Sequence, residues 1–196
     1  MDRTTIAAYN DAASVFADEW QAQRPPSDLH FLIRHHFRKG GLTADIGCGS
    51  GREVAWLEAN GFPAIGYDPS EGLLFEARIR HPQCRFEAAA LPDLTSIADA
   101  SFDNVLCETV VMHVGRAVIA PSVRRMMAIL KPGGILYVSW RVTEGIDVRD
   151  PWGRLYAAFD RSLVLTPLAG AAILVDDETV SASSGKQIHR VVARMP

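Results

Sequence analysis

Cysteine is scarce. The chain has three, Cys48, Cys84 and Cys107, far apart and with no Cys-x-x-Cys among them. That argues against a disulfide framework or a zinc site, and free thiols in a reducing compartment are expected. No apolar run approaches the roughly 18 residues that a membrane span needs. The first residues carry Asp2 and a mixed polar run, not a basic segment followed by an apolar one. No signal peptide is read, so a cytoplasmic setting with no membrane partner is expected. Charge of one sign is also lacking: 20 Lys and Arg stand against 23 Asp and Glu, a net of −3. A strongly basic surface is excluded, and no nucleic-acid partner is expected. There is no internal repeat, no low-complexity tract and no metal-ligand constellation. What is present is ordinary: 196 residues, 48% hydrophobic and 22% charged. That suits one globular domain with a sizeable core.

The pattern begins helical. Tyr9, Ala13, Phe16 and Trp20 repeat at spacings of four, three and four, one face of a helix. Pro25-Pro26 breaks it, and Ser27 can cap a second helix to about Phe37. Strands and helices then alternate. Strands are predicted over 42–46, 63–67, 84–88, 102–107 and 135–140. Helices are predicted over 52–59 and 70–80, and another starts at Pro121 as its first residue. Lys131-Pro132-Gly133-Gly134 reads as a turn. Such alternation means a parallel sheet with helices on both faces. The tail differs: a helix from Asp150-Pro151 to about Asp160, then two strands over 171–180 and 187–195. The last pair reads as antiparallel strands closing the sheet.

Gly47-Cys48-Gly49-Ser50-Gly51 lies where the first strand gives way to a helix. Glycine there allows positive φ and close approach of a ligand to the backbone, and the helix start offers free N–H groups. A dinucleotide fingerprint would need a third glycine where Arg52 stands, so a pyrophosphate reading is disfavoured. No Gly-Lys-Ser/Thr follows, so the loop is not a P-loop. Asp68 ends the second strand, 21 residues after Gly47. An acidic side chain there can accept both hydroxyls of a ribose.

Five segments together resemble the class I S-adenosylmethionine-dependent methyltransferases, in their small type 11-like branch. They are Ala-Asp-Ile-Gly-Cys-Gly-Ser-Gly (44–51), Gly-Tyr-Asp-Pro-Ser (66–70), Glu-Ala-Ala-Ala-Leu-Pro (87–92), Ser-Phe-Asp-Asn-Val-Leu-Cys-Glu-Thr-Val-Val-Met-His-Val (101–114) and Leu-Lys-Pro-Gly-Gly-Ile-Leu-Tyr-Val-Ser (130–139). They span about half of the chain. The resemblance implies an α/β, three-layer Rossmann-like sandwich. Its sheet would have seven strands, mostly parallel, of order 3-2-1-4-5-7-6 with strand 7 antiparallel. It further implies a helical cap (1–40), a cofactor-binding core (41–141) and a substrate-side segment with the closing strand pair (142–196).

Roles follow from the same resemblance. Asp45 and the backbone of Gly47, Cys48, Gly49 and Gly51 would face the methionyl part of S-adenosyl-L-methionine. Asp68, with Pro69 beside it, would hold the ribose. Glu87 stands where the family usually has Asp for the adenine amino group, and the Ala88 N–H would reach the ring. Cys107 and Glu108 would line the pocket near the sulfonium. Tyr9, Phe16, Trp20, Trp140 and Arg141 would build the acceptor pocket. Arg141 suits an anionic acceptor, unless Glu144 or Asp147 pairs with it. His113 and Glu108 are the candidate bases, and no metal is called for. The short segment between the fifth strand and the tail favours a small-molecule acceptor. The competing reading is a non-catalytic protein that binds the cofactor or its demethylated product.

Overall fold

The computed structural model describes residues 1–196. The sheet is built from β1 (Thr43–Ile46), β2 (Ala64–Asp68), β3 (Arg85–Ala88), β4 (Phe102–Cys107), β5 (Leu130–Arg141), β8 (Ala172–Val180) and β9 (Gln187–Arg194). Its order is β3-β2-β1-β4-β5-β9-β8. The first five strands run parallel, and β9 lies antiparallel between β5 and β8. This is the expected seven-stranded order, with β8 and β9 in the places of strands 6 and 7.

Side-chain alternation divides the core into two layers. Val105 and Cys107 of β4, Leu136 and Val138 of β5, and Val191 and Ala193 of β9 face one side. Leu106, Ile135, Tyr137 and Val192 face the other. Successive residues of a strand point to opposite faces, so central strands read as unbroken apolar runs. The first layer is covered by α6 (Arg116–Ala128), through Ile119, Val123 and Met126. The second is covered by α3 (Ser27–His36), α4 (Arg52–Ala59) and α5 (Glu71–Arg80). Each fully buried anchor, such as Ile33 or Leu57, contributes about 1.5–3 kcal/mol.

Four local expectations are corrected. The first helix is two, α1 (Arg3–Asp11) and α2 (Ala13–Ala22), broken at Ala12 with φ −124° and ψ 29°. Pro121 lies inside α6 and does not open it. Residues 131–134 are not a free turn: β5 includes them, and the ladder jumps from Phe102–Leu130 to Asn104–Ile135 as they loop out. No helix covers 150–160. A small hairpin forms from β6 (Val148–Arg149) and β7 (Leu155–Tyr156), before the short α7 (Ser162–Leu165). The reason is local. Gly153 takes φ +86°, and Asp150 accepts from the N–H groups of Trp152 (3.1 Å) and Arg154 (2.9 Å), closing a turn. No helix is long and apolar enough to cross a membrane.

Candidate active site

A cavity of about 350 Å³ opens at the carboxyl ends of the parallel strands. Ligands of open α/β sheets bind there. Its floor is the glycine loop. Gly47, Gly49 and Gly51 have φ of +79°, +54° and +82°, which is why glycine occupies these positions. A Cβ on Gly49 would lie 2.8 Å from the Trp20 ring. The loop is tied to β2: the Gly49 N–H donates to Asp68 Oδ2 at 2.9 Å, and the Gly47 N–H to the Tyr67 carbonyl at 2.7 Å.

Carboxylates crowd this end. Asp68 is buried and also accepts from the Ser70 N–H at 2.8 Å. Burial pushes its pKa up to about 6, against the pull of those two backbone N–H groups. Glu108 accepts from the Ser139 hydroxyl at 2.8 Å, and burial pushes it up to about 7. Asp45 is raised well above the usual carboxylate range, first by burial and then by Glu53, Asp68 and Glu108. Glu53 is the one with cationic company, accepting from Arg52 Nε at 2.9 Å and facing His30 Nε2 at 2.7 Å. Three acids without a cation, the buried Asp45 and Asp68 and the half-buried Glu108, face one cavity, which suits a positively charged ligand group.

Another part of the same cavity wall is cationic and aromatic. Arg141 and Arg154 both line it, their guanidinium carbons 5.1 and 5.9 Å from the centroid of the same Tyr156 ring. Arg154 also lies 4.5 Å over Phe16 and is paired with Asp150 at 2.6 Å. Asp147 is paired with Arg116 instead, at 2.9 Å. The ion pair considered for Arg141 therefore does not form with either acid, and Arg141 has no carboxylate partner. His113 Nδ1 lies 2.5 Å from the Leu155 carbonyl, which can only accept, so Nδ1 carries the proton. Nε2 then accepts from the Tyr9 hydroxyl at 3.1 Å. Burial lowers the His113 pKa to about 4, leaving the ring neutral.

The sequence-predicted residues separate into two groups. Asp45, Gly47, Cys48, Gly49, Asp68, Pro69, Glu108, His113, Tyr9, Trp20 and Arg141 line the cavity. Cys107, expected near the sulfonium, points instead into the apolar layer under α6, because it alternates with the cavity-facing Glu108. Phe16 is fully buried behind Tyr9 and Trp20. Trp140 turns away from the cavity and stacks on His189 at 4.6 Å. Gly51 faces Phe86 and Ala77. Glu87 lies off the cavity wall, paired with Arg85 at 2.5 Å, while Ala88 sits beside Asp68 in the sheet register. Sequence reasoning missed Arg154, Glu53, and the fact that the turn over Ser181–Lys186 lines the cavity, where Ser183 meets Gln23 at 3.1 Å.

The family model described as "Methyltransferase domain" matches residues 44–138. The chain belongs to the class I S-adenosylmethionine-dependent methyltransferases. Among similar methyltransferases is a trans-aconitate 2-methyltransferase of Variovorax paradoxus, 30% identical over 171 residues. The match covers 78% of this chain and 61% of that one. A demethylmenaquinone methyltransferase of Beutenbergia cavernae is 32% identical over 136 residues, covering 68% of this chain and 53% of the relative. The chain thus spans less than two thirds of the length of either. The same methyltransferase fold is seen in the 1,6-didemethyltoxoflavin-N1-methyltransferase of Burkholderia thailandensis, solved with bound 1,6-didemethyltoxoflavin and S-adenosylhomocysteine. That likeness has a TM-score of 0.76 at 19% identity and covers 98% of this chain and 87% of the other.

Proposed function

We propose that this chain is an active enzyme that methylates a small organic anion with S-adenosylmethionine as donor. The observation that carries this reading is the pair of charge types on one cavity wall, with acids that have no cation around the glycine loop and an arginine that has no carboxylate partner. The residues around the glycine loop fit the donor. Asp45 has no hydrogen-bond donor of its own and is raised by neighbouring acids, so a cationic ligand relieves it. Asp68 would take two ribose hydroxyls beside the Gly49 backbone, and the attached base would extend toward Ala88, its register neighbour. One relative is named for trans-aconitate, an organic anion, which agrees with an acceptor site built on Arg141.

The donor supplies a methyl group already activated by its sulfonium. What this chain adds is position and dryness. Oriented reactants held roughly 3–3.5 Å apart gain most of what such a displacement needs. Trp20 closes over Gly49, and its carbonyl accepts from Arg52 Nη1 at 2.8 Å, which holds α2 down on the loop. Tyr9 and Tyr156 wall the same cavity.

Titration calorimetry with S-adenosylhomocysteine tests the donor half. The wild-type chain should bind it. Asp68→Ala should weaken binding about tenfold or more, since one or two hydrogen bonds to a charged group are worth about 1.5–3 kcal/mol each. Its fold should survive, read by circular dichroism. An unchanged affinity would remove the ribose assignment, and no binding by the wild type would remove the reading itself.

A further inference from the structure

The cavity wall carries four cationic side chains, and they are not equivalent. Arg52 is paired with Glu53 at 2.9 Å and Arg154 with Asp150 at 2.6 Å, while Lys186 is exposed to solvent. Arg141 alone is half-buried and uncompensated. Its backbone is fixed by pairing with Ile188 across β9, and its guanidinium rests over Tyr156. One uncompensated, half-buried guanidinium calls for one negative charge. A planar fork matches a planar carboxylate in two parallel hydrogen bonds. A phosphate monoester would bring about −1.5 to −2 charges, more than one guanidinium can balance.

The second observation concerns protons. A hydroxyl or ammonium acceptor must lose one, and apart from the carboxylates around the glycine loop only His113 could take it. Both His113 nitrogens are engaged, Nδ1 with the Leu155 carbonyl and Nε2 with the Tyr9 hydroxyl. The Tyr9 oxygen is in turn approached by Arg154 Nη1 at 3.4 Å. A ligand proton could enter this chain only by relay through Tyr9 onto Nε2, which would charge a ring that burial keeps neutral. Resting on the methyltransferase reading above, we propose that the group methylated is a carboxylate bound by Arg141, and that the product is a neutral methyl ester.

The step balances without a base. A carboxylate oxygen lone pair forms the new O–C bond, the S–CH3 bond breaks, and its electron pair stays on sulfur. A cation and an anion become two neutral molecules, and no proton moves. Opposite charges that vanish in a dry, low-dielectric space are favoured there over water. His113 and Tyr9 are positioning residues in this scheme. The rival is a hydroxyl acceptor that gives its proton to Glu108.

The test uses the full chain saturated with S-adenosylhomocysteine. Calorimetry compares propionate, fumarate, benzoate and cinnamate with the matching primary amides and alcohols. At least one acid should bind about tenfold or more tightly than its amide and alcohol. Arg141→Met should erase that preference, and Arg141→Lys should keep part of it, while S-adenosylhomocysteine affinity stays unchanged in both. Labelled methyl transferred from S-adenosylmethionine to the acid should be released as methanol by mild alkali. Acids that bind no better than amides and alcohols would overturn the proposal, as would an Arg141→Met chain that keeps the preference. Alkali-stable label on an alcohol, lost in Glu108→Gln, would establish the rival. If S-adenosylhomocysteine itself fails to bind, the methyltransferase reading falls first, so the two failures are distinguishable.

Discussion

At the scale of the residue, Glu108 shows what the cavity costs before any ligand arrives. Its folded pKa of about 7 lies above the usual carboxylate value because burial penalises the charged form. The folded state therefore holds this proton more tightly than the unfolded chain does. Its contribution to stability is fully present below the ordinary carboxylate pKa and is lost as pH rises through about 7. Glu108→Gln should accordingly raise the melting temperature of the ligand-free protein at pH 8. The gain should shrink toward zero at pH 5, where Glu108 is itself neutral. Melting curves at the two pH values check this, and a gain of equal size at both would show that burial of charge is not its source. The same substitution should weaken donor binding, so stability and function pull apart at one side chain. Glu108 was legible in the sequence as the end of the fourth strand. Arg154 was not, because its role depends on Phe16 and Tyr9 lying under it, more than a hundred residues away. No local pattern reports such a contact.

At the scale of the element, α1 is held to the β6–β7 hairpin by a chain of polar contacts. Arg149 donates to both oxygens of Asp2 at 2.9 Å, Asp2 accepts from the Thr5 hydroxyl at 2.8 Å, and Thr5 Oγ1 accepts from the Leu155 N–H at 2.9 Å. Thr5 is fully buried. Thr5→Val keeps the shape but leaves the Leu155 N–H unpaired, which should cost about 1–3 kcal/mol. Urea denaturation would read the loss, and amide exchange at Leu155 should quicken with it. An unchanged midpoint would mean that α1 is held by its apolar face alone. This joint explains why the elements were uneven in legibility. The central strands and α4 and α5 follow from apolar runs, a Ser70 cap and glycine stops. The stretch after Asp150 did not: an Asp-Pro pair opens a helix or a turn equally well, and Gly153 together with the Arg154 side chain decides for the turn. Pro121 misled for a related reason. Proline is favoured at a helix start, yet α6 begins at Arg116 and tolerates it one turn further in, at the loss of one backbone hydrogen bond. The two helices α1 and α2 still bring Tyr9, Phe16 and Trp20 together, with ring centroids 5.1–5.9 Å apart, so the spacing was informative even where the single helix was not.

At the scale of the whole molecule, the sheet gathers acids from β1, β2, α4 and the residue that follows β4 around one cavity, and no single segment carries that crowding. Asp45, Asp68 and Glu108 are each raised chiefly by burial, and Asp45 further by its acidic neighbours. Near neutral pH the free protein therefore retains protons that a bound cation would drive off, since a nearby positive charge favours the ionised carboxylate. Binding a sulfonium must then release protons between about pH 5 and 7, and by linkage its affinity must rise with pH across that window. A ligand at 100 times its Kd stabilises a fold by about 2.7 kcal/mol, so the effect is visible as a thermal shift. The shift given by a fixed excess of S-adenosylmethionine should grow from pH 5 to pH 7.5. S-adenosylhomocysteine has the same ribose and base but a neutral sulfur, and its shift should grow less. Calorimetry in two buffers of different ionisation enthalpy would count the protons released directly. Equal pH dependence for the two ligands would place the sulfonium away from Asp45 and Glu108, and the acids around the cavity would then need another reason to exist.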